Sequence, residues 1–125
     1  MYLIDTCALI WILSNPEKLS NKAKQAIESA EKAYVSIASL WEIAIKQGNG
    51  KLNLRLTITD IANACKETNI EILFPTPAQL DIVQSLPKIH GDPFDRLIIA
   101  QAMDNNLAII TSDNYFPEYK ITVLW

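Results

Sequence analysis

Short apolar segments alternate with longer helical segments along the whole chain, and this alternation constrains the fold more than any other feature. The apolar segments are rich in branched aliphatic residues, which is typical of buried strands. They cover residues 2–4, 33–36, 70–74, 107–111 and 121–124, the last of which resembles an edge strand. Strictly alternating strands and helices predict an α/β fold with a parallel sheet flanked by helices on both faces.

The helices are predicted from apolar spacing and from residues that can begin or end a helix. Ser20 is a candidate N-cap, and Asp92-Pro93 places an N-cap before proline at the first helical position. A cap at Thr57 or Thr59 would begin a further helix, and the structure of residues 52–56 is left open. The predicted helices cover residues 8–13, 20–32, 38–47, from 57 or 59 to 68, 78–86 and 93–105.

Length and composition are those of one globular domain, predicted to cover residues 1–125. The N-terminus has no basic leader, and the apolar run at 7–13 is too short to span a bilayer, so a cytoplasmic protein is expected. Cys7 and Cys65 form no C-x-x-C pair, so neither a disulfide framework nor a zinc site is indicated. Both are expected to be buried thiols.

Charge argues against a protein that binds nucleic acid through its phosphates. The formal net charge is -3 and the pI is about 5.0. The conflict is removed if several acids are gathered around a metal ion and the basic residues act elsewhere. Candidates for such a basic path are Lys46, Lys51, Arg55 and Arg96, although a solvated charged face is the default interpretation. Trp11 and Trp41 are expected in the core or at a partner interface.

Four acidic residues lie at positions that a parallel sheet would place close together, near the carboxyl ends of its strands. Asp5 and Asp113 follow predicted strands directly, and the carboxyl ends of parallel strands line the binding crevice of such folds. Glu42 follows the strand that ends at Ser36, and Asp95 lies in the first turn of the helix before the fourth strand. Carboxylate oxygens are hard ligands that suit magnesium or manganese, so a divalent metal site is predicted.

Each of these acids also has a structural interpretation. Asp92 caps a helix, Asp95 can stabilise the same helix terminus, and Asp5 can cap the helix that follows it. Glu42 stands four residues before Lys46, which favours a surface ion pair.

The remaining candidates at the predicted site also have structural interpretations. Asp113 is an ordinary turn residue in the Ser-Asp-Asn sequence, where turns after strands are often rich in such residue types. His90 is the single histidine, and a structural role is expected for it.

Four sequence blocks carry a family resemblance: LIDTCALIW at 3–11, SLWEIAIK at 39–46, HGDPFDRLIIAQA at 90–102 and TSDNYF at 111–116. Together they resemble a PIN domain over nearly the whole chain. Their order and spacing are similar to those of the bacterial VapC-type toxins of toxin–antitoxin pairs.

The resemblance implies a metal-dependent endoribonuclease that hydrolyses RNA phosphodiester bonds with Mg2+ or Mn2+. It further implies a cognate antitoxin and a homodimer. Metal-assisted hydrolysis needs no serine or cysteine nucleophile. The acids that match the metal-binding quartet of the family are Asp5, Glu42, Asp95 and Asp113. The accessory positions are Asp92 as a further acid, Thr6 and Ser112 as residues that orient ligands, and Arg96 as a structural or phosphate contact.

Two other functions are compatible with acids at strand ends. An aspartate-based phosphatase or receiver domain is disfavoured, because Asp5-Thr6-Cys7 lacks a second acid two residues on and the strand end at Phe74-Pro75 lacks an acceptor aspartate. A catalytically silent PIN-like binding module is the other alternative. The presence of all four acids counts against it.

Overall fold

The computed structural model describes residues 1–125 and contains one five-stranded parallel sheet. Along the sheet the strands run in the order β3-β2-β1-β4-β5, so the last strand is an edge strand as predicted. The strands are Tyr2–Ile4 (β1), Ala33–Ser36 (β2), Ile70–Leu73 (β3), Ala108–Ile110 (β4) and Val123–Leu124 (β5). The prediction of a parallel α/β sheet is therefore confirmed.

Six α-helices connect the strands, and most of their bounds are close to the predicted ones. The helix predicted over 93–105 has the same bounds in the structure, whereas the one predicted over 20–32 ends at Ser29, because the chain is already extended at Ala30. None of the helices has the length and apolar character needed to cross a bilayer. The helices are Thr6–Ser14 (α1), Asn21–Ser29 (α2), Ile37–Gly48 (α3), Ile58–Glu67 (α4), Pro77–Ser85 (α5) and Pro93–Asn105 (α6).

Side-chain caps explain where several helices begin. The Ser20 hydroxyl accepts a hydrogen bond from the Ala23 amide at 3.0 Å, as expected for the N-cap of α2. Thr57 rather than Thr59 caps α4, since Thr57 and Asp60 exchange side-chain and backbone hydrogen bonds in a capping box. Residues 52–56 form no regular element.

The core consists of two apolar clusters, one on each face of the sheet. Side chains of successive strand residues point to opposite faces, so Ile4 and Ile110 belong to one cluster while Leu3 and Ile109 belong to the other. The first cluster is completed by α1–α4 and the second by α6 and the segment around Phe116. Both faces are thus covered by helices.

The two cysteines differ in exposure. Cys65 is buried as expected, but the expectation of a buried Cys7 is wrong, because its thiol is exposed. The first turn of α1 packs through Thr6, Ala8 and Leu9, which leaves Cys7 on the outer side of the helix.

The sheet topology places two loops side by side at its centre. From β1 the chain crosses to β2 and β3 on one side, whereas β4 pairs with the other side of β1, with Ile4 opposite Ile110. The order in which the chain adds strands to the sheet therefore reverses between β1 and β4, and ligands of open α/β sheets bind at such a point. The residues that follow these two strands, Asp5 and Thr111 to Asp113, are neighbours there.

Candidate metal centre

Asp5 both caps a helix and lies at the centre of the sheet edge. Its Oδ1 accepts a hydrogen bond from the Ala8 amide at 2.8 Å, which is the predicted cap of α1, and its Oδ2 accepts one from the Thr111 hydroxyl. The backbone amide of Asp5 donates to the Ile110 carbonyl at 3.1 Å. With only 4% of its surface exposed, the carboxylate is fixed by its neighbours on both sides.

Glu42 is a buried acid on α3 with one oxygen left without a partner. Its Oε2 lies 2.8 Å from the Lys46 Nζ, so the ion pair expected from the spacing is present, but the acid is only 7% exposed. Its Oε1 has no hydrogen-bond partner. Burying a carboxylate oxygen without a donor is unfavourable, so the arrangement suits a cation that approaches Oε1.

Asp95 and Asp113 approach each other across the imidazole of His90. The Nε2 of His90 lies 2.9 Å from Asp95 Oδ2 and 3.0 Å from Asp113 Oδ2. The other oxygen of Asp113 accepts from the Tyr115 amide at 2.8 Å, as in the expected turn. Asp95 belongs to α6 and Asp113 to the loop after β4, so His90 links two separate elements.

All four predicted acids line one cleft of about 340 Å³ at this edge of the sheet. The cleft contains a single cationic side chain, that of Lys46, which is 46% exposed. The lining residues are Asp5, Thr6, Cys7, Ile10, Glu42, Lys46, Asp92, Asp95, Ser112 and Asp113.

Of the accessory residues, Asp92, Thr6 and Ser112 all line the cleft, although the Thr6 hydroxyl is engaged by a neighbouring helix. Asp92 Oδ1 accepts from the amides of Phe94 and Asp95 at 2.8 and 3.1 Å, so it is the N-cap of α6. The Thr6 hydroxyl donates to Ser39 Oγ at 2.9 Å and thereby joins α1 to α3. Ser112 is exposed at the cleft wall.

Arg96 has a structural position. Its guanidinium donates hydrogen bonds to four backbone carbonyls that precede α6, at 2.9 to 3.3 Å. These carbonyls belong to Val83, Leu86, Pro87 and His90. Because its donors are occupied there, Arg96 fixes the loop between α5 and α6 rather than pointing into the cleft.

Two residues at the site were not assigned to it from the sequence. The buried Thr111 hydroxyl donates to Asp5 and accepts from the Asp113 amide at 3.0 Å, so it joins the two acids that follow β1 and β4. The only sequence signal for Thr111 is its place between the strand and Ser-Asp. A structural role was expected for His90. Its contacts with the carboxylates of Asp95 and Asp113 were not predicted from the sequence.

Burial of the acids raises two pKa values at the site. Burial raises the pKa of Asp5 to about 6, against the lowering effect of its hydrogen bonds from Thr111 and Ala8. Burial, with the neighbouring Asp92 charge, raises the pKa of Asp95 to about 7. A divalent cation would compensate the charge of these buried carboxylates, and the donor set consists of hard oxygens, so the residues fit Mg2+ or Mn2+.

The other basic and aromatic candidates lie at the surface. Lys51 and Arg55 are exposed in the loop after α3, as the default interpretation predicts. Trp11 is half-buried against Trp125, with ring centroids 5.5 Å apart. Trp41 is 63% exposed and packs edge-on against Phe94 at 5.1 Å, so it is not a core residue.

Comparisons with known proteins agree with the geometry. A family model described as PIN domain matches residues 2–121. Ribonuclease VapC22 of Mycobacterium tuberculosis is 30% identical over 112 residues, which cover 89% of this chain and 85% of that protein.

Two solved structures share the fold at low sequence identity. A toxin–antitoxin complex from Klebsiella pneumoniae matches with a TM-score of 0.67 at 18% identity, covering 98% of this chain and 95% of that one. VapBC2 from Rickettsia felis, bound to a DNA fragment from its promoter, matches with a TM-score of 0.69 at 12% identity, covering 98% and 97%.

Proposed function

The chain belongs to the PIN-domain family, and on that premise we propose that it is a metal-dependent endoribonuclease and the toxin of a toxin–antitoxin pair. Residues 1–125 act as one nuclease domain. The observation that carries this proposal is the convergence of four carboxylates from separate elements on one cleft. The name of the VapC22 relative, a ribonuclease, supports RNA as the substrate.

A site for Mg2+ or Mn2+ in the acid cleft is the cofactor site of this proposal. The residues that would hold the cation are Asp5, Glu42, Asp95 and Asp113. When bound, such a cation supplies Lewis-acid activation of water and neutralises charge on the scissile phosphate. The unpartnered Oε1 of buried Glu42 is the atom whose environment most favours this occupant.

The chain's own residues supply position and charge. Thr111 holds Asp5 in one orientation, and the helix cap at Ala8 holds its other oxygen. Lys46 presents its ammonium in the cleft beside Glu42, where an RNA phosphate would meet it. No serine or cysteine nucleophile is required: water attacks the phosphorus, a carboxylate of the cleft accepts its proton, and the bond from phosphorus to the leaving ribose oxygen breaks.

The antitoxin is proposed as a short partner that covers the acid cleft and places a basic side chain in it. An acidic, partly buried site attracts such a side chain electrostatically. A homodimer belongs to the same proposal. Its support is the family relationship together with the exposed apolar surface around Trp41 and Ile45.

The test is cleavage of an RNA pool by purified protein with Mg2+ or Mn2+, with chelator, and after substitution of the acids. Asp5→Asn and Asp95→Asn are expected to lower cleavage strongly, whereas Asp81→Asn is the matched control because Asp81 is exposed on α5, away from the cleft. Intact cleavage by Asp5→Asn or Asp95→Asn would overturn the site. Absence of any metal-dependent cleavage, with tight partner binding, would identify a silent binding module instead.

A further inference from the structure

His90, the only histidine of the chain, bridges two acids that belong to different elements. It lies in the loop before α6, and its Nε2 is within hydrogen-bond distance of both Asp95 Oδ2 and Asp113 Oδ2. The side chains of His90 and Asp95 are largely buried, at 13% and 17% exposure, while Asp113 is 30% exposed. A contact of this kind either supplies a metal ligand or positions the acids.

The backbone amide of Asp92 decides between these two roles. This amide donates a hydrogen bond to His90 Nδ1 at 3.2 Å, so Nδ1 carries its lone pair and the ring proton is on Nε2. With the proton on Nε2, this nitrogen donates to the two carboxylates. It cannot ligate a cation while the Asp92 amide is bound to Nδ1.

The ring of His90 is fixed by contacts that do not involve the acids. It packs edge-on against Tyr115 and Phe116, with centroids 5.4 and 5.8 Å away. Its backbone amide donates to the Tyr119 hydroxyl at 2.8 Å, and its carbonyl accepts from Arg96 at 3.3 Å. The Nε2–H group is therefore held in place before any ligand arrives.

We propose that His90 is a positioning residue of the metal centre, whose Nε2–H group holds the Asp95 and Asp113 carboxylates together without ligating the cation. The inference rests on the proposed function, since it assigns a role toward the same cation. Two carboxylates close to each other repel, and a donor shared between them keeps both turned toward the cleft. Hydrogen-bonded neighbours of metal ligands commonly change metal affinity about 10- to 100-fold.

Two substitutions of His90 distinguish the effect of its Nε2–H donor from the effect of the rest of the imidazole ring. The side-chain oxygen of His90→Asn can still accept from the Asp92 amide, but this variant has no group at the position of Nε2. His90→Gln reaches further and can place its amide nitrogen there. The donor role predicts that His90→Asn weakens Mn2+ binding about 10- to 100-fold, and that His90→Gln restores most of the affinity.

The experiment is Mn2+ titration of the full chain by calorimetry, with circular dichroism of the metal-free variants and electron paramagnetic resonance of bound Mn2+. The expected result is loss of affinity in His90→Asn, recovery in His90→Gln, and no strong nitrogen hyperfine coupling in the wild type. Unchanged affinity in His90→Asn would overturn the inference. Equal losses in both variants, or a nitrogen coupling that disappears in His90→Asn, would also overturn it, in favour of ring packing or direct ligation.

The titration of the wild type distinguishes this inference from the proposed function. If the wild type binds no Mn2+ or Mg2+, the metal site is wrong and the role of His90 is overturned with it. If the wild type and His90→Asn bind Mn2+ equally, the metal site stands and only the role of His90 is wrong.

Discussion

At the ends of the two central strands β1 and β4, the apolar core gives way to the acid cleft from one residue to the next. Ile4 and Ile110 are fully buried among aliphatic side chains, and the next residues, Asp5 and Thr111, are buried at the cleft. Core residues are stabilised by the same packing that defines the fold. The cleft instead contains an unpartnered Glu42 oxygen and two acids with raised pKa values, so its geometry is maintained by the core.

This difference predicts opposite effects for substitutions of Asp5 in the cleft and of Ile110 in the core, two residues joined by a backbone hydrogen bond between neighbouring strands. Asp5→Asn is expected to lower RNA cleavage by about 100- to 1,000-fold, because it removes charge that acts on the cation. The metal-free variant should keep its thermal stability at pH 8, since asparagine is also a good N-cap and the substitution removes a buried charge. Cleavage rates with calorimetric melting test both effects. A variant that is inactive because it is unfolded would contradict the comparison.

The neighbouring core substitution should show the reverse. Ile110→Ala removes a fully buried side chain and is expected to lower the free energy of unfolding by about 2–5 kcal/mol. Cleavage per folded molecule should stay close to that of the wild type. Urea denaturation measures the first effect, and activity normalised to the folded fraction measures the second. A loss below about 0.5 kcal/mol would contradict the assignment of Ile110 to the core.

Sequence patterns predicted the positions of helices and strands more accurately than they predicted the side-chain contacts at the site. The start of α6 was predictable because Asp92-Pro93 marks it, and the structure shows that Asn106, in the left-handed region at φ 52°, ends the helix. The places of Asp5 and Asp113 followed from the rule for parallel strand ends. In contrast, the approach of Asp95 and His90 to Asp113 depends on how α6 and the preceding loop pack, which no local pattern contains.

Local spacing also left the burial of side chains open. The spacing of Glu42 and Lys46 correctly predicted an ion pair but not that the acid end would be buried. The exposure of Cys7 depends on which side of α1 meets the core, and an almost wholly apolar helix does not specify that side.

The raised pKa values predict a pH dependence that is confined to the cleft. The pKa values of Asp5 and Asp95 in the fold lie above the usual value, so their stabilising contribution is present below about pH 4 and is lost as pH rises through about 6 and 7. Metal-free protein should therefore lose on the order of 1 kcal/mol or more between pH 5 and pH 8. Melting curves with and without Mg2+ test this, because the cation should reverse the loss at pH 8.

A control for the pH dependence uses the acids themselves. In the double variant Asp5→Asn and Asp95→Asn, the loss of stability between pH 5 and pH 8 should be much smaller than in the wild type. An equal loss in the double variant would place the pH-dependent groups outside the cleft.

The smallest predicted effect concerns a buried polar group outside the cleft. Gln101 on α6 is fully buried, and neither atom of its amide has a hydrogen-bond partner. Gln101→Met, which keeps the length of the side chain, is expected to raise the free energy of unfolding by about 1 kcal/mol and to leave cleavage unchanged. Denaturant titration of the variant and the wild type is the measurement. A destabilised variant would indicate a bound water that partners the amide.

The most direct test of the metal centre is anomalous diffraction from crystals of the full chain soaked in Mn2+. One strong peak is predicted in the cleft, about 2.0–2.3 Å from carboxylate oxygens of the acid quartet and not in contact with His90 Nε2. The same peak should be absent from crystals of Asp5→Asn. A cleft without a peak in wild-type crystals that bind Mn2+ elsewhere would contradict the assignment of these four acids as one metal site.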